Sequence, residues 1–246
     1  MGDPEHGTAG DDATREGSTD DPVRFEVEAE FLTIGRTFEE YAAMFDLDVD
    51  RLAGDRVLDC PSGVGSFVTT ARDRGLSAIG ADILYDHPRG AIAETAREDC
   101  EATVDQLRGS RDLFTWDWYG DLDSRAEHLR RAHRTFLADY PDGPYLAAGL
   151  PDLPFPDDSF DLALSANLLF LYDDRLDGAF HAAALRELAR VAGEVRVFPL
   201  ASLDTERSKL VEPTIERLRA DGIAVETRTV PYEFQPGATE MLVVGR

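Results

Sequence analysis

The stretch VLDCPSGVGSF, residues 57–67, decides the fold. An apolar, β-favouring run ends in Asp59, a Pro-Ser-Gly-Val-Gly turn follows, and a helix-forming pattern then begins, so the segment reads as strand, tight turn and helix. Gly63 and Gly65 allow the backbone of such a turn to come close to a ligand. Ligands of open α/β sheets sit at the carboxyl ends of strands, where the strand order reverses. An ordinary strand-to-helix turn is the plainer reading of the same residues.

Working outward, short apolar runs alternate with helical patterns. The runs predict strands over 56–60, 77–82, 144–148, 160–166 and 194–199. The patterns between them predict helices over about 66–75, 89–108, 124–139, 174–191 and 207–221. This alternation is the sign of βαβ units and a parallel sheet. Two last strands, 223–230 and 240–245, are joined by PYEFQPGAT (231–239), too short for a helical crossover, so they should pair antiparallel. The expected fold is α/β, a Rossmann-like, doubly wound, mostly parallel seven-stranded sheet with an antiparallel last strand.

Residues 1–22 hold almost nothing to bury and read as a disordered acidic tail; the folded domain is expected over 23–246. From Phe25 the chain turns amphipathic. Thr37, with Glu40 at the capping-box position, opens a docking helix through Tyr41, Met44 and Phe45. The long interval 83–143 reads as a helical insertion or lid whose two helices flank RDLFTWDWYGD, and insertions of this size usually serve a site. The sequence shows no internal repeat and no coiled-coil heptads.

The 246 residues carry a net charge of −24, with Lys209 the single lysine against many arginines. Such a surface repels the phosphate backbone, so no nucleic-acid partner is expected. In multimolar salt, where the Debye length falls to about 3 Å, a dense carboxylate surface is tolerated; the composition reads as halophilic. Cys60 and Cys100 form no CxxC pair and the five histidines no ligand pattern, so no metal is expected. The longest apolar stretch is far short of the roughly 20 residues of a membrane span. The expectation is a cytoplasmic protein with no membrane association.

Charge also sorts the possible ligands of the turn. A dinucleotide fingerprint needs GxGxxG, but the third glycine position from Gly63 is Val68, and a Walker loop needs a lysine that is absent. Asp59 at the strand end would repel a pyrophosphate and attract an ammonium. Asp82 closes the second strand, where an acidic side chain can accept both ribose hydroxyls. S-adenosylmethionine offers an amino group, a ribose and no phosphate.

With Asp59, Gly63, Gly65, Asp82 and the segment LPDLPFPDDSFDLALSANLLFLY, the chain resembles the class I S-adenosylmethionine-dependent methyltransferases over residues 56–245. It departs from that family's acidic-x-Gly-x-Gly-x-Gly turn at Pro61, which stands at the first glycine. The resemblance implies that Asp59, Pro61, Gly63 and Gly65 form the methionine end, Asp82 holds the ribose, and Ile83 packs on the adenine. It further implies that Leu150 offers its N–H to the ring and that Ser165 and Ala166 face the sulfonium side. Gly149 replaces the family's usual aspartate, with Asp152 a possible substitute. The chain also resembles a branch of these enzymes with EVRxFPL and VPYEFQ segments.

The implied activity is methyl transfer to a small-molecule acceptor. The open alternatives are a non-catalytic S-adenosylmethionine-binding regulator or partner subunit, and an oxidoreductase using a nucleotide cofactor. Tyr172, Asp173 and His181 follow the fourth strand and are candidates for a general base, and Asn167 for orienting the acceptor. Asp173 or Asp174 is equally well explained as a helix N-cap, and His181 lies inside that helix. The aromatics Phe114, Trp116, Trp118 and Tyr119 alternate at strand-like spacing. They serve either as lid packing or, with Tyr41 and Phe45, as a substrate wall to which Tyr232 and Phe234 could add.

Overall fold

The computed structural model describes residues 31–245. The tail reading for 1–22 and the amphipathic start at Phe25 lie outside the described residues. Among these residues the α-helices and strands follow in chain order: α1 (Phe38–Met44), β1 (Arg56–Asp59), α2 (Phe67–Asp73), β2 (Ser77–Ala81), α3 (Arg89–Gly109), α4 (Leu122–Asp139), β3 (Tyr145–Leu146), β4 (Phe160–Ala166), α5 (Gly178–Val191), β5 (Ala192–Phe198), α6 (Val211–Ala220), β6 (Ala224–Thr229) and β7 (Glu240–Gly245).

The seven strands form one sheet in the order β3-β2-β1-β4-β5-β7-β6. Pairs among β1 to β5 are parallel, and β7 is antiparallel to both β5 and β6. The Rossmann-like fold expected from the alternation is the fold observed, with β7 inserted between β5 and β6. The order reverses at β1, whose neighbours are β2 and β4.

Alternation within the strands explains the two covering layers. Val57, Leu162, Leu164 and Val243 face one side, where Phe38, Tyr41 and Phe45 of α1 and Phe67 and Val68 of α2 cover them. Leu58, Ala163, Val195, Leu242 and Val244 face the other, under Leu185 and Leu188 of α5 and Ile215 and Leu218 of α6. A central strand buried on both faces needs a nearly continuous apolar run, as β4 has. The edge strand β6 buries Val225 alone and exposes its charged and polar residues, which discourages pairing with another chain.

The capping box of α1 is formed as expected. The Thr37 amide donates to Glu40 Oε2 (2.7 Å) and the Glu40 amide to Thr37 Oγ1 (3.3 Å). Other boundaries differ. α5 starts at Gly178 rather than at 174, because Asp177 supplies the N-cap, accepting from the Phe180 amide at 2.8 Å; neither Asp173 nor Asp174 caps it. α6 begins at Val211, and the strand expected over 144–148 pairs only at Tyr145 and Leu146. The aromatics that alternate at strand-like spacing, Phe114, Trp116, Trp118 and Tyr119, lie on an irregular segment with a turn at 117–119. Residues 83–143 carry α3 and α4, which pack on each other through Cys100, Val104, Ala126 and Leu129. No helix among the described residues is long and apolar enough to cross a membrane, and among them no cluster of His, Cys, Asp and Glu could hold a metal ion.

Candidate functional site

The carboxyl ends of the central strands open on one cavity of about 580 Å³. Its floor is made by the loops after β1 (Cys60–Gly63), β2 (Asp82–Leu84), β4 (Ala166–Leu168) and β5 (Phe198, Pro199), with Gly149 and Leu150 alongside. This is the switch-point crevice where open α/β sheets bind ligands.

One end is built around Asp82. Its Oδ2 accepts the Gly63 amide at 2.8 Å and its Oδ1 the Leu84 amide at 2.9 Å. Each oxygen keeps a further acceptor position, and the side chain is 8% exposed. Gly63 can present its amide because it sits at φ +53°, a left-handed conformation that favours glycine. The Tyr85 hydroxyl donates to the Gly63 carbonyl (2.7 Å), fixing the turn. Burial raises the Asp82 carboxyl, and the two amide bonds oppose that rise.

Beside Asp82, Ile83 is 69% exposed. Gly149 faces it: a Cβ there would lie 2.5 Å from Ile83 Cγ2, so the side-chain-free residue is what allows the close approach. A large apolar side chain left in water at a cavity wall is a surface that a ligand can cover. The Leu150 amide acts on the buried Cys60 thiol, whose pKa burial pushes well up.

Asp59 is fully enclosed and does not reach the cavity wall, contrary to its expected place at the methionine end. Its Oδ1 accepts the Tyr41 hydroxyl at 3.0 Å, and Tyr41 lines the cavity in its stead. Its Oδ2 has no hydrogen-bond partner. Burial pushes the Asp59 carboxyl up to about 7 and the Asp82 charge adds to this, while the Ser62 and Tyr41 hydroxyls oppose it.

Pro61, Gly63, Asp82, Ile83, Leu150, Ala166, Asn167, Tyr41 and Tyr172 all line the cavity. Gly65 and Ser165 do not. Gly65 admits the Arg36 backbone, whose carbonyl would lie 3.2 Å from a Cβ at that position, and Ser165 is enclosed in β4. Asp152 forms a backbone bridge with Gly149 and stays off the wall. Asn167 holds φ +54° at the end of β4, a conformation asparagine tolerates better than most residues.

The aromatic wall is made by other residues than the expected tryptophans. Phe114, Tyr232 and Phe234 line the cavity. Trp116 meets Phe234 edge-on (5.5 Å) and donates its indole N–H to the Arg111 carbonyl, while Trp118 packs on Tyr119 and Tyr232. They buttress the wall from behind. Phe45 lies buried beneath Tyr41.

His181 is a structural residue. Its Nε2 accepts the Phe170 amide at 3.0 Å, which leaves Nδ1 as the N–H donor to the Asp177 carbonyl at 2.7 Å. Burial lowers its pKa, and the neutral ring holds Phe170 at φ +64°, an outlying conformation for a bulky residue. The Tyr172 hydroxyl accepts the Leu32 amide at 3.1 Å and so ties the strap of residues 31–36 over the cavity. That strap is fixed again by Thr33 to Asp99 (2.6 Å) and by the Ser66 amide to the Arg36 carbonyl (2.9 Å).

The end of the cavity under that strap holds two residues that the sequence reading did not single out, Arg36 and Arg125. Both form ion pairs with Glu40, from Arg36 Nε at 3.6 Å and from Arg125 Nη1 at 3.4 Å. Burial would raise Glu40, but Arg125, Arg36, the Thr37 amide and the Tyr119 hydroxyl outweigh it and hold the carboxyl low. Arg125 had a legible signal. It lies three residues after Leu122 in a helix whose buried stripe runs through Ala126, Leu129, Ala132 and Phe136, a charge placed on an apolar face.

Comparison with protein-family models finds no match. The chain is 30% identical over 216 residues to the uncharacterized protein MJ0045 of Methanocaldococcus jannaschii, covering 87% of this chain and 95% of that protein. Among solved structures it is similar to magnesium protoporphyrin IX methyltransferase from Synechocystis PCC 6803 with bound SAM, at 16% identity. The match covers 80% of this chain and 72% of that one with a TM-score of 0.40. It is also similar to the PH0226 protein from Pyrococcus horikoshii OT3, at 15% identity over 78% of this chain and 82% of that one, TM-score 0.42.

Proposed function

We propose that this chain, which belongs to the family of the uncharacterized protein MJ0045 of Methanocaldococcus jannaschii, transfers a methyl group from S-adenosylmethionine to a small-molecule acceptor held in the same cavity. The observation that carries this reading is the Asp82 end of the cavity. There a carboxylate with spare acceptor positions stands beside an exposed Ile83 and a side-chain-free Gly149. That trio suits a nucleoside, with Asp82 accepting from the ribose hydroxyls and Ile83 giving the base an apolar surface. The Asp82 carboxylate beside the turn favours a phosphate-free cofactor over a dinucleotide.

When bound, the cofactor supplies a methyl group activated by its sulfonium. What the chain supplies is orientation and a dry cavity, which for an in-line displacement account for much of the rate. Pro61 and Gly63 shape the floor beside the methionine portion, and Ala166 keeps the end of β4 small. Asn167 can orient a polar acceptor. His181 has both ring nitrogens engaged and abstracts no proton. Burial raises Tyr172 above the ordinary phenol range, so it acts as a hydroxyl that fixes the strap and can donate. Leu32 and Ile34 of the strap, with Phe114 and Phe234, give the cavity an apolar lining. The chain would work in concentrated salt, as its net charge of −24 suggests.

Calorimetric titration of S-adenosylhomocysteine into the protein in molar potassium chloride, with NADH as control, tests the reading. Binding of S-adenosylhomocysteine alone supports it. Binding of NADH alone, or of neither by folded protein, contradicts it.

A further inference from the structure

We infer that the methyl acceptor is an uncharged, mainly apolar molecule, its body seated between the loops after β4 and β5 and its polar group turned to Asn167; this rests on the reading of the cavity as a methyltransferase site. The cavity sorts its charges. Its charged lining residues are Arg36 and Arg125 at one end and Asp82 and Asp86, with His87 beside them, at the other. Those are the places where the carboxylate and the nucleoside of the proposed cofactor would lie. The loops after β4 and β5 stand two and three strands from β2, about 10–14 Å at the usual strand spacing. With the start of α5 they bring Leu168, Leu171, Leu176, Phe180 and Leu203 to the same cavity.

The local sequence offers charges that the fold keeps out of this lobe. Between Leu168 and Phe180 the chain carries Asp173, Asp174, Arg175 and Asp177, and Asp204 follows Leu203, yet none of them lines the cavity. Asp177 caps α5, and Arg175 pairs with Asp174 and lies over the Tyr172 ring. The five apolar side chains are left half-buried in a chain of which 30% is charged. Phe180 also packs on the core, but Leu168, Leu171, Leu176 and Leu203 join no core cluster among the described residues. A contiguous apolar surface inside a cavity, unused by the core, is a surface for a ligand. A charged group placed there would lose its water and meet no opposite charge, which is costly.

Most polar groups on this side are already engaged. The Tyr172 hydroxyl holds the Leu32 amide, Gln235 Nε2 donates to the Ser202 carbonyl (2.7 Å), and the Tyr232 hydroxyl pairs with that of Tyr119. Asn167 differs. Its amide donates to the Phe198 carbonyl (2.8 Å), which fixes the backbone, while its side chain has no hydrogen-bond partner among the described residues. A carboxamide both donates and accepts without carrying charge, so it suits a neutral polar group at the end of an apolar body. The Leu203 amide donates to the Leu171 carbonyl (3.1 Å) and ties the two loops together, so the lobe is built before a ligand arrives.

The test titrates 2-naphthol, 2-naphthoate and 2-naphthylmethylammonium at neutral pH into the wild-type protein, with and without saturating S-adenosylhomocysteine, and 2-naphthol into Leu171→Asp and Leu203→Asp variants checked for folding by circular dichroism. The expected result, with S-adenosylhomocysteine bound, is naphthol binding at least tenfold tighter than either ion. Each variant should weaken naphthol at least tenfold and leave the affinity for S-adenosylhomocysteine within twofold of the wild type. An ion binding as tightly as naphthol, no naphthol binding, or naphthol affinity unchanged in both variants overturns the proposal and leaves the cofactor reading standing. If a variant does not fold, the comparison of naphthol with the two ions in the wild type decides alone. Naphthol binding with the expected preference, but without any binding of S-adenosylhomocysteine, would keep the apolar lobe as a ligand site and remove the methyltransferase reading.

Discussion

The two ends of the cavity solve opposite electrostatic problems. At the Asp82 end a carboxylate is held by two backbone amides from its own loops and keeps room to accept more. At the arginine end two cations share one glutamate whose oxygens are already taken. The first end is prepared for a hydrogen-bond donor and the second for an acceptor. The proposed cofactor carries both kinds of group, ribose hydroxyls that donate and a carboxylate that accepts, so a single ligand can engage both ends.

The largest effect that would break this comparison is at Asp82. Replacing it by alanine removes the two hydrogen bonds proposed for the ribose, each of about 1.5–3 kcal/mol when the partner is charged, so S-adenosylhomocysteine affinity measured by calorimetry should fall by roughly 10²–10⁴-fold. An unchanged affinity would mean that the nucleoside lies elsewhere. At the other end, Glu40→Gln leaves two buried guanidinium groups without a counter-charge. Breaking a buried pair in this way costs about 3–5 kcal/mol, and urea denaturation should show a loss of that size. A loss under about 1 kcal/mol would mean that water or another anion already satisfies the arginines.

Asp59 sharpens the contrast through pH. Its folded value of about 7 lies above the ordinary carboxyl value, so its contribution to stability is complete below pH about 4 and is lost as pH rises through 7. Relative to Asp59→Asn, the wild-type protein should lose up to roughly 4 kcal/mol over that range. Glu40, held low, behaves in the opposite sense and contributes above the ordinary glutamate range. Melting curves of the two proteins from pH 4 to 8 that run parallel would remove the claim that burial raises the Asp59 carboxyl. The smallest effect belongs to His181→Ala, which leaves the Phe170 amide unsatisfied and should cost about 1–3 kcal/mol in a thermal melt. A drop in kcat with no loss of stability would instead mark it as chemical machinery.

Much of the scaffold is legible in the sequence because its central elements are over-determined. β4 is apolar on both faces, the Thr37–Glu40 pair satisfies both halves of a capping box, and the short link 231–239 forces the last two strands antiparallel. The weaker boundaries follow from local competition. Asp173 and Asp174 precede α5 as Asp177 does, and only the fold shows that Asp177 accepts the Phe180 amide.

The cavity is legible where backbone shape makes it, at Gly63 and Asp82, and illegible where distant segments converge. Arg36 and Arg125 lie far apart in sequence and meet only where both pair with Glu40 of α1. Trp116 and Trp118 misled because alternation along a turn says nothing about which ring faces inward. Asp59 misled because strand-end position fixes the backbone, while Tyr41 from another element closes over the side chain.

The most direct measurement is a crystal structure of the protein with S-adenosylhomocysteine. The account predicts ribose hydroxyls on Asp82 and the adenine against Ile83 and Gly149. A nucleoside bound away from Asp82 and Ile83 would contradict it.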